Sequence, residues 1–105
     1  METRGRIERG LVQGLRDLRD YGFKDQLTRA GLSVASNIAE GMERESSADK
    51  ARYLTIARGS CGEARTQIQI GIEIGYIDGE IGRRWIKESQ EISAMLVGLS
   101  RSIKV

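Results

Sequence analysis

The sequence predicts an all-α fold, a bundle of four helices, and three observations predict it. The 105 residues contain no proline, the residue that most often interrupts helices and punctuates loops. Apolar residues recur at steps of three and four over most of the chain. Ser46 and Asp78 stand where a polar side chain would close the amino end of a helix. One compact domain over residues 1–105 is all this length allows, because two independent cores need roughly 200 residues.

In the first segment Ile7, Leu11, Leu15 and Leu18 form a narrow apolar stripe on a helix expected to end near Tyr21-Gly22. A second helix is expected from about Lys24 through Arg44. It sets Leu27, Gly31, Val34, Ile38 and Gly41 on one face and Leu32, Ala35, Ala39 and Met42 on the adjacent one. A turn at Glu45-Ser46 leads to a third helix capped by Ser46, with Asp49 three positions on and Ser47 as the neighbouring alternative. Along it Leu54, Ala57, Cys61, Ala64, Ile68, Ile72 and Gly75 make the heptad-like seam of a bundle helix. Asp78 then caps a last helix, expected to run nearly to Val105 with Ile81, Trp85, Ile92, Met95, Leu96, Leu99 and Ile103 turned inward. Glycine occurs 13 times, mostly inside these periodic segments, where each copy costs about 1 kcal/mol relative to alanine. Such glycines read as places where helices approach closely.

The stretch Thr66 to Gly75 argues the other way. Its isoleucines at 68, 70, 72 and 74 alternate with other residues, which is the pattern of a strand. No second strand-like run is present to pair with it, and a solitary strand leaves its backbone groups unsatisfied. A helix is therefore expected, and it carries a consequence. At about 100° per residue, Ile68 and Ile72 fall on the seam while Ile70, Ile74 and Ile77 point almost oppositely, continuing a line through Ile56 and Gly59. A helix apolar on opposed faces has to be covered on both. A homo-oligomer is expected, the alternative being that the first or last segment folds over the second face.

Charge and composition exclude more than they name. Seventeen basic against 15 acidic residues give a net charge of +2, far from the strongly basic footprint of most nucleic-acid proteins. There is no histidine and one cysteine, which removes the commonest general base and metal ligand and any internal disulfide. No stretch approaches the ~20 apolar residues of a membrane span, and Met1 to Gly10 lacks the apolar run of a signal peptide. A cytoplasmic protein is expected, with no membrane association, no metal or cofactor and no catalytic residue.

Ser33, Asn37, Glu40 and Arg44 fall on one stripe of the second helix, and Glu63 and Gln67 lie one turn apart on the third. The stripe reads as a polar seam between helices or subunits; its alternative use is a hydrogen-bond array for a ligand or partner. Glu40 with Glu63 would be the pair for acid–base work, but nothing supplies a nucleophile, an oxyanion hole or a phosphate-cradling loop. Cys61 reads as a small core hydrophobe, and Trp85 and Tyr53 as packing anchors. Of the 17 basic residues 13 are arginine, the side chain suited to bidentate phosphate contacts. Arg4, Arg6, Arg9, Arg16 and Arg19 gather in the first segment and Arg83, Arg84 and Lys87 early in the last helix. They are the candidate nucleic-acid contacts, against the plain alternative of a solvated face with intrahelical ion pairs.

The run from Gln26 to Arg44 resembles the pattern Q-L-x-R-A-x-x-S-I-P-S-N-I-A-E-G-x-x-R of the 23S rRNA intervening-sequence proteins, a four-helix-bundle family that also includes the accessory variability determinant of diversity-generating retroelements. Gln26, Leu27, Arg29, Ala30, Ser33, Ser36, Asn37, Ile38, Ala39, Glu40, Gly41 and Arg44 match, and Ala35 stands where the pattern has proline. The block Tyr53 to Gln67, followed by Gly75-Tyr76-Ile77, looks like the family's second conserved region. The resemblance implies an antiparallel up-down four-helix bundle assembled into homopentamers. It also implies a scaffold without known catalysis that binds nucleic acid and, in the retroelement branch, a reverse transcriptase. Asn37, Glu40, Glu63 and Gln67 carry over as structural motif residues; Ser33, Arg44, Ile56, Ile70 and Ile74 join them as expected interface positions. The competing expectation is a structural or protein-binding module with no nucleic-acid role.

Overall fold

The computed structural model describes residues 21–103. They form three helices and no strand: α1 (Tyr21–Glu43), α2 (Ser47–Glu73) and α3 (Gly79–Ser102). The expected first helix and its stripe, with Arg4, Arg6, Arg9, Arg16 and Arg19, lie outside the described residues. The break expected at Tyr21-Gly22 is absent, since both residues already belong to α1.

Both expected caps are present. Ser46 accepts a hydrogen bond from the Asp49 amide at 3.0 Å, and Asp78 accepts one from the Ile81 amide at 3.1 Å. The isoleucine-rich stretch is helical up to Glu73. There the chain closes in a Schellman motif: Gly75 adopts φ 81°, its amide bonds to the Ile72 carbonyl, and the Tyr76 amide bonds back to the Gly71 carbonyl at 2.8 Å. This turn changes the helical phase, so two expectations fail with it. Ile77 is not on the outer line of Ile70 and Ile74; it folds back into the core, 6% exposed. Gly75 does not continue the seam, and Gly71 takes that place, buried against Ile77 and Phe23.

The helices run antiparallel, as the cross-helix pairs show: Ser33 with Ser60 and Arg44 with Tyr53 between α1 and α2, Cys61 with Ser89 between α2 and α3. The extended interfaces are α1 on α2 and α2 on α3; α1 and α3 share no comparable one. Two core clusters result. Leu27, Ile68, Ile77 and Trp85 fill the end near the α2–α3 turn, and Leu54, Ala57 and Leu96 fill the other. Phe23 and Tyr76 meet edge-on at 5.4 Å between ring centroids, fastening the start of α1 to that turn. Close approach uses particular glycines: a Cβ on Gly82 would lie 2.5 Å from the Ile72 side chain, and one on Gly71 2.6 Å from Ile77.

Met95 corrects the reading of α3. Expected inward, it is 57% exposed. On α1 the adjacent apolar face expected from Leu32, Ala35, Ala39 and Met42 lies exposed. Among the described residues no helix is long and apolar enough to cross a membrane.

Candidate interaction surfaces

Tyr53, Ser60, Glu63 and Gln67 occupy one edge of α2, and Gln26, Ser33, Asn37, Glu40 and Arg44 recur along the edge of α1 that faces it. The Ser33 and Ser60 hydroxyls share a 2.6 Å hydrogen bond, and Asn37 Nδ2 donates back to the Ser33 carbonyl at 2.8 Å and to its hydroxyl at 3.0 Å. The side chain of Asn37 is thereby spent on its own helix, where it locks the serine that crosses to α2.

Towards the hairpin turn the seam becomes ionic. Arg44 Nη2 donates to Glu40 Oε1 at 2.5 Å and to the Tyr53 hydroxyl at 2.9 Å. Arg44 and Arg52 both stand over the Tyr53 ring, each guanidinium carbon 4.9 Å from its centre. Tyr53 above all holds the Arg44 guanidinium above its ordinary pKa; desolvation lowers it, and Glu40 adds to the rise. Nε of Arg44 and Oε1 of Gln67 are buried with no partner among the described residues. Gln67 Nε2 reaches Gln26 and Glu63 only at 3.5 Å, so the two ends of the seam hold polar atoms that nothing within these helices satisfies.

Beside this seam lies the outer face of α2. Ile56, Ile70 and Ile74 are 42%, 45% and 54% exposed, which places the expected second apolar face on the surface. Glu63 stands among them, exposed. Glu40 pairs with Arg44, and Glu63 lies 3.5 Å from Gln67 Nε2. A cleft of about 240 Å³ lies elsewhere, between α1 and α3 over α2, and its walls are apolar, with Leu27, Val34, Ala64, Ile68, Trp85 and Ile92 among them.

Of the basic candidates in the last helix, Arg83 and Lys87 are exposed and Arg84 is half-buried. They spread over the outer side of the first half of α3, away from α2. Cys61 is buried, and its thiol donates to the Ser89 carbonyl at 3.1 Å, which fits a packing residue. Arg65, Ser89 and Ser93 form a cross-helix cluster that sequence reasoning missed. The available signal was the four-residue spacing of the two serines on the inner edge of α3.

A family model described as 23S rRNA-intervening sequence protein matches residues 1–98. A solved structure from Bacteroides thetaiotaomicron, a protein of unknown function from the S23 ribosomal protein family, superposes with a TM-score of 0.76. It is 26% identical, over 90% of this chain and 88% of that one. No curated protein matches.

Proposed function

Because the chain belongs to the 23S rRNA-intervening sequence protein family, we propose that it is a non-enzymatic scaffold, a homo-oligomer of antiparallel up-down four-helix bundles that binds RNA or an RNA–DNA hybrid. The assembly is a pentamer, and a reverse transcriptase is its protein partner, as the likeness to the retroelement branch implies.

The observation that carries the reading is the second apolar face of α2. Three isoleucines, each more than two-fifths exposed, lie beside a polar seam whose Arg44 Nε and Gln67 Oε1 lack partners among the described residues. A neighbouring subunit would cover the isoleucines. In a ring the basic patches of Arg83, Arg84 and Lys87 repeat, so weak phosphate contacts add up to avidity.

A second reading is favoured by the near balance of charge, 17 basic against 15 acidic residues: a protein-binding module that never meets nucleic acid. Salt separates the two. Labelled RNA titrated at several ionic strengths is expected to bind at low salt and to lose affinity steeply towards physiological salt, whereas an apolar protein interface hardly responds. Sedimentation at micromolar concentration is expected to show an assembly that Ile70→Glu dissociates. An 11.7 kDa particle, or no RNA binding at low salt, would defeat the scaffold.

A further inference from the structure

The inner edge between α2 and α3 holds an arginine that no carboxylate among the described residues pairs with. Arg65 is half-buried. Its Nε donates to Ser89 Oγ at 2.9 Å, and its Nη2 donates to Ser93 Oγ at 2.8 Å and to the Ser89 carbonyl at 3.3 Å. Every acceptor is neutral. The Ser89 carbonyl also receives the Cys61 thiol, and the Ser89 hydroxyl spends its own proton on the Ile86 carbonyl at 2.7 Å. Cation and hydroxyls are thus held in one geometry by both helices.

Arg29, Arg44 and Arg52 differ: each has a carboxylate three or four residues before it, Asp25, Glu40 and Asp49. Among the described residues no ion pair includes Arg65 or Arg58. A guanidinium withdrawn from water is ordinarily matched by an anion. Nη1 of Arg65 takes no part in these bonds, and the Ser93 hydroxyl keeps its proton to donate. Arg58, exposed and two turns before Arg65 on the same face of α2, stands ~10.5 Å from it along the axis.

We propose that the α2–α3 edge centred on Arg65, with Ser93 and Arg58, is a phosphate-binding site that takes the backbone of a nucleic acid. The proposal rests on the scaffold reading and deepens it by placing a contact that the outer basic residues of α3 do not include. An oxyanion there receives the free Nη1 donors of Arg65 and the Ser93 hydroxyl, as charge-assisted hydrogen bonds.

The test has two arms on the full chain. In the first, inorganic phosphate is titrated at constant ionic strength while the arginine Nε–H resonances are followed by NMR, with Arg65 assigned through Arg65→Lys. A saturable shift of Arg65, with Arg29 and Arg44 unmoved, is expected, and an unmoved Arg65 overturns the site. In the second arm, labelled RNA is titrated against wild type and Arg65→Met. Roughly tenfold weaker binding is expected, with the slope of log affinity on log salt smaller by about one. Ser93→Ala, expected to weaken binding a few-fold, replaces Arg65→Met if circular dichroism shows that variant unfolded. Wild type that binds RNA with Arg65→Met binding equally well overturns this inference and leaves the scaffold standing. Wild type that binds no RNA defeats the scaffold, and with it the assignment to a nucleic-acid backbone; the first arm then shows separately whether a phosphate site exists.

Discussion

Along one flank α2 presents Tyr53, Ser60 and Gln67 to a helix that answers with Arg44, Ser33 and Gln26; along the other it presents Cys61 and Arg65 to a helix that answers with Ser89 and Ser93. Both flanks contain an arginine, hydroxyls and an antiparallel neighbour, yet their charge states differ. On the α1 flank Glu40 neutralises Arg44 from one turn away on the same helix, and the bonds that cross between helices are left mostly to neutral groups. On the α3 flank no described carboxylate pairs with Arg65, so the serines position its charge without cancelling it. The placement of a carboxylate four residues from an arginine therefore decides whether that arginine closes a seam or stays available.

What the flanks share is tested by the largest expected effect. Leu54 is fully buried, in the cluster with Ala57 and Leu96 where both interfaces meet. Leu54→Ala is expected to cost about 3–4 kcal/mol in urea denaturation, loosening both flanks together. A small loss would mean that the two interfaces do not rest on a common core.

The next test separates the flanks by their glycines. Alanine in place of glycine gains up to about 1 kcal/mol of helix propensity. At Gly82 on α3 the new methyl meets the Ile72 side chain at 2.5 Å, whereas at Gly41 on α1 the nearest atom is Tyr53 Cβ at 3.0 Å. Gly82→Ala is expected to be destabilising by about 1–2 kcal/mol net, and Gly41→Ala to lie near zero. Thermal melting of the pair measures the difference, and equal values would contradict the closer packing of the α3 flank.

Much of this was legible in the chain, and the failures have identifiable causes. Ser46 and Asp78 could be read because a cap depends only on neighbours three residues away. Burial of Leu54, Ala57, Cys61 and Ile68 followed from spacing alone. Ile77 could not be placed, because one residue at positive φ, Gly75, ends the helix and resets the phase that the projection assumed to continue. Met95 was misread because an apolar residue at the rim of a stripe looks the same in sequence as one at its centre. The Arg65 cluster needed the register between two helices, which no local pattern specifies, so its serines read as ordinary surface residues. Of the candidate sites, the stripe from Ser33 to Arg44 was visible as a stripe, but its partners on α2 depend on that same register.

The smallest expected effect concerns the hydroxyl pair at the middle of the α1 flank. Ser33→Ala, Ser60→Ala and the double variant form a cycle whose coupling energy is expected near ~1 kcal/mol, the net worth of one neutral hydrogen bond. Urea midpoints measure it, and a value indistinguishable from zero would reduce this contact to simple packing.

The two connections in the described chain are short, Arg44–Ser46 and the turn through Gly75, and each joins helices that pack directly on one another. Closing such small loops sacrifices little chain freedom, and a molecule whose partners are neighbours in sequence has a low contact order and forms rapidly. During synthesis, the α1–α2 hairpin has all its contacts as soon as α2 leaves the ribosome, and α3 arrives afterwards on a surface already made.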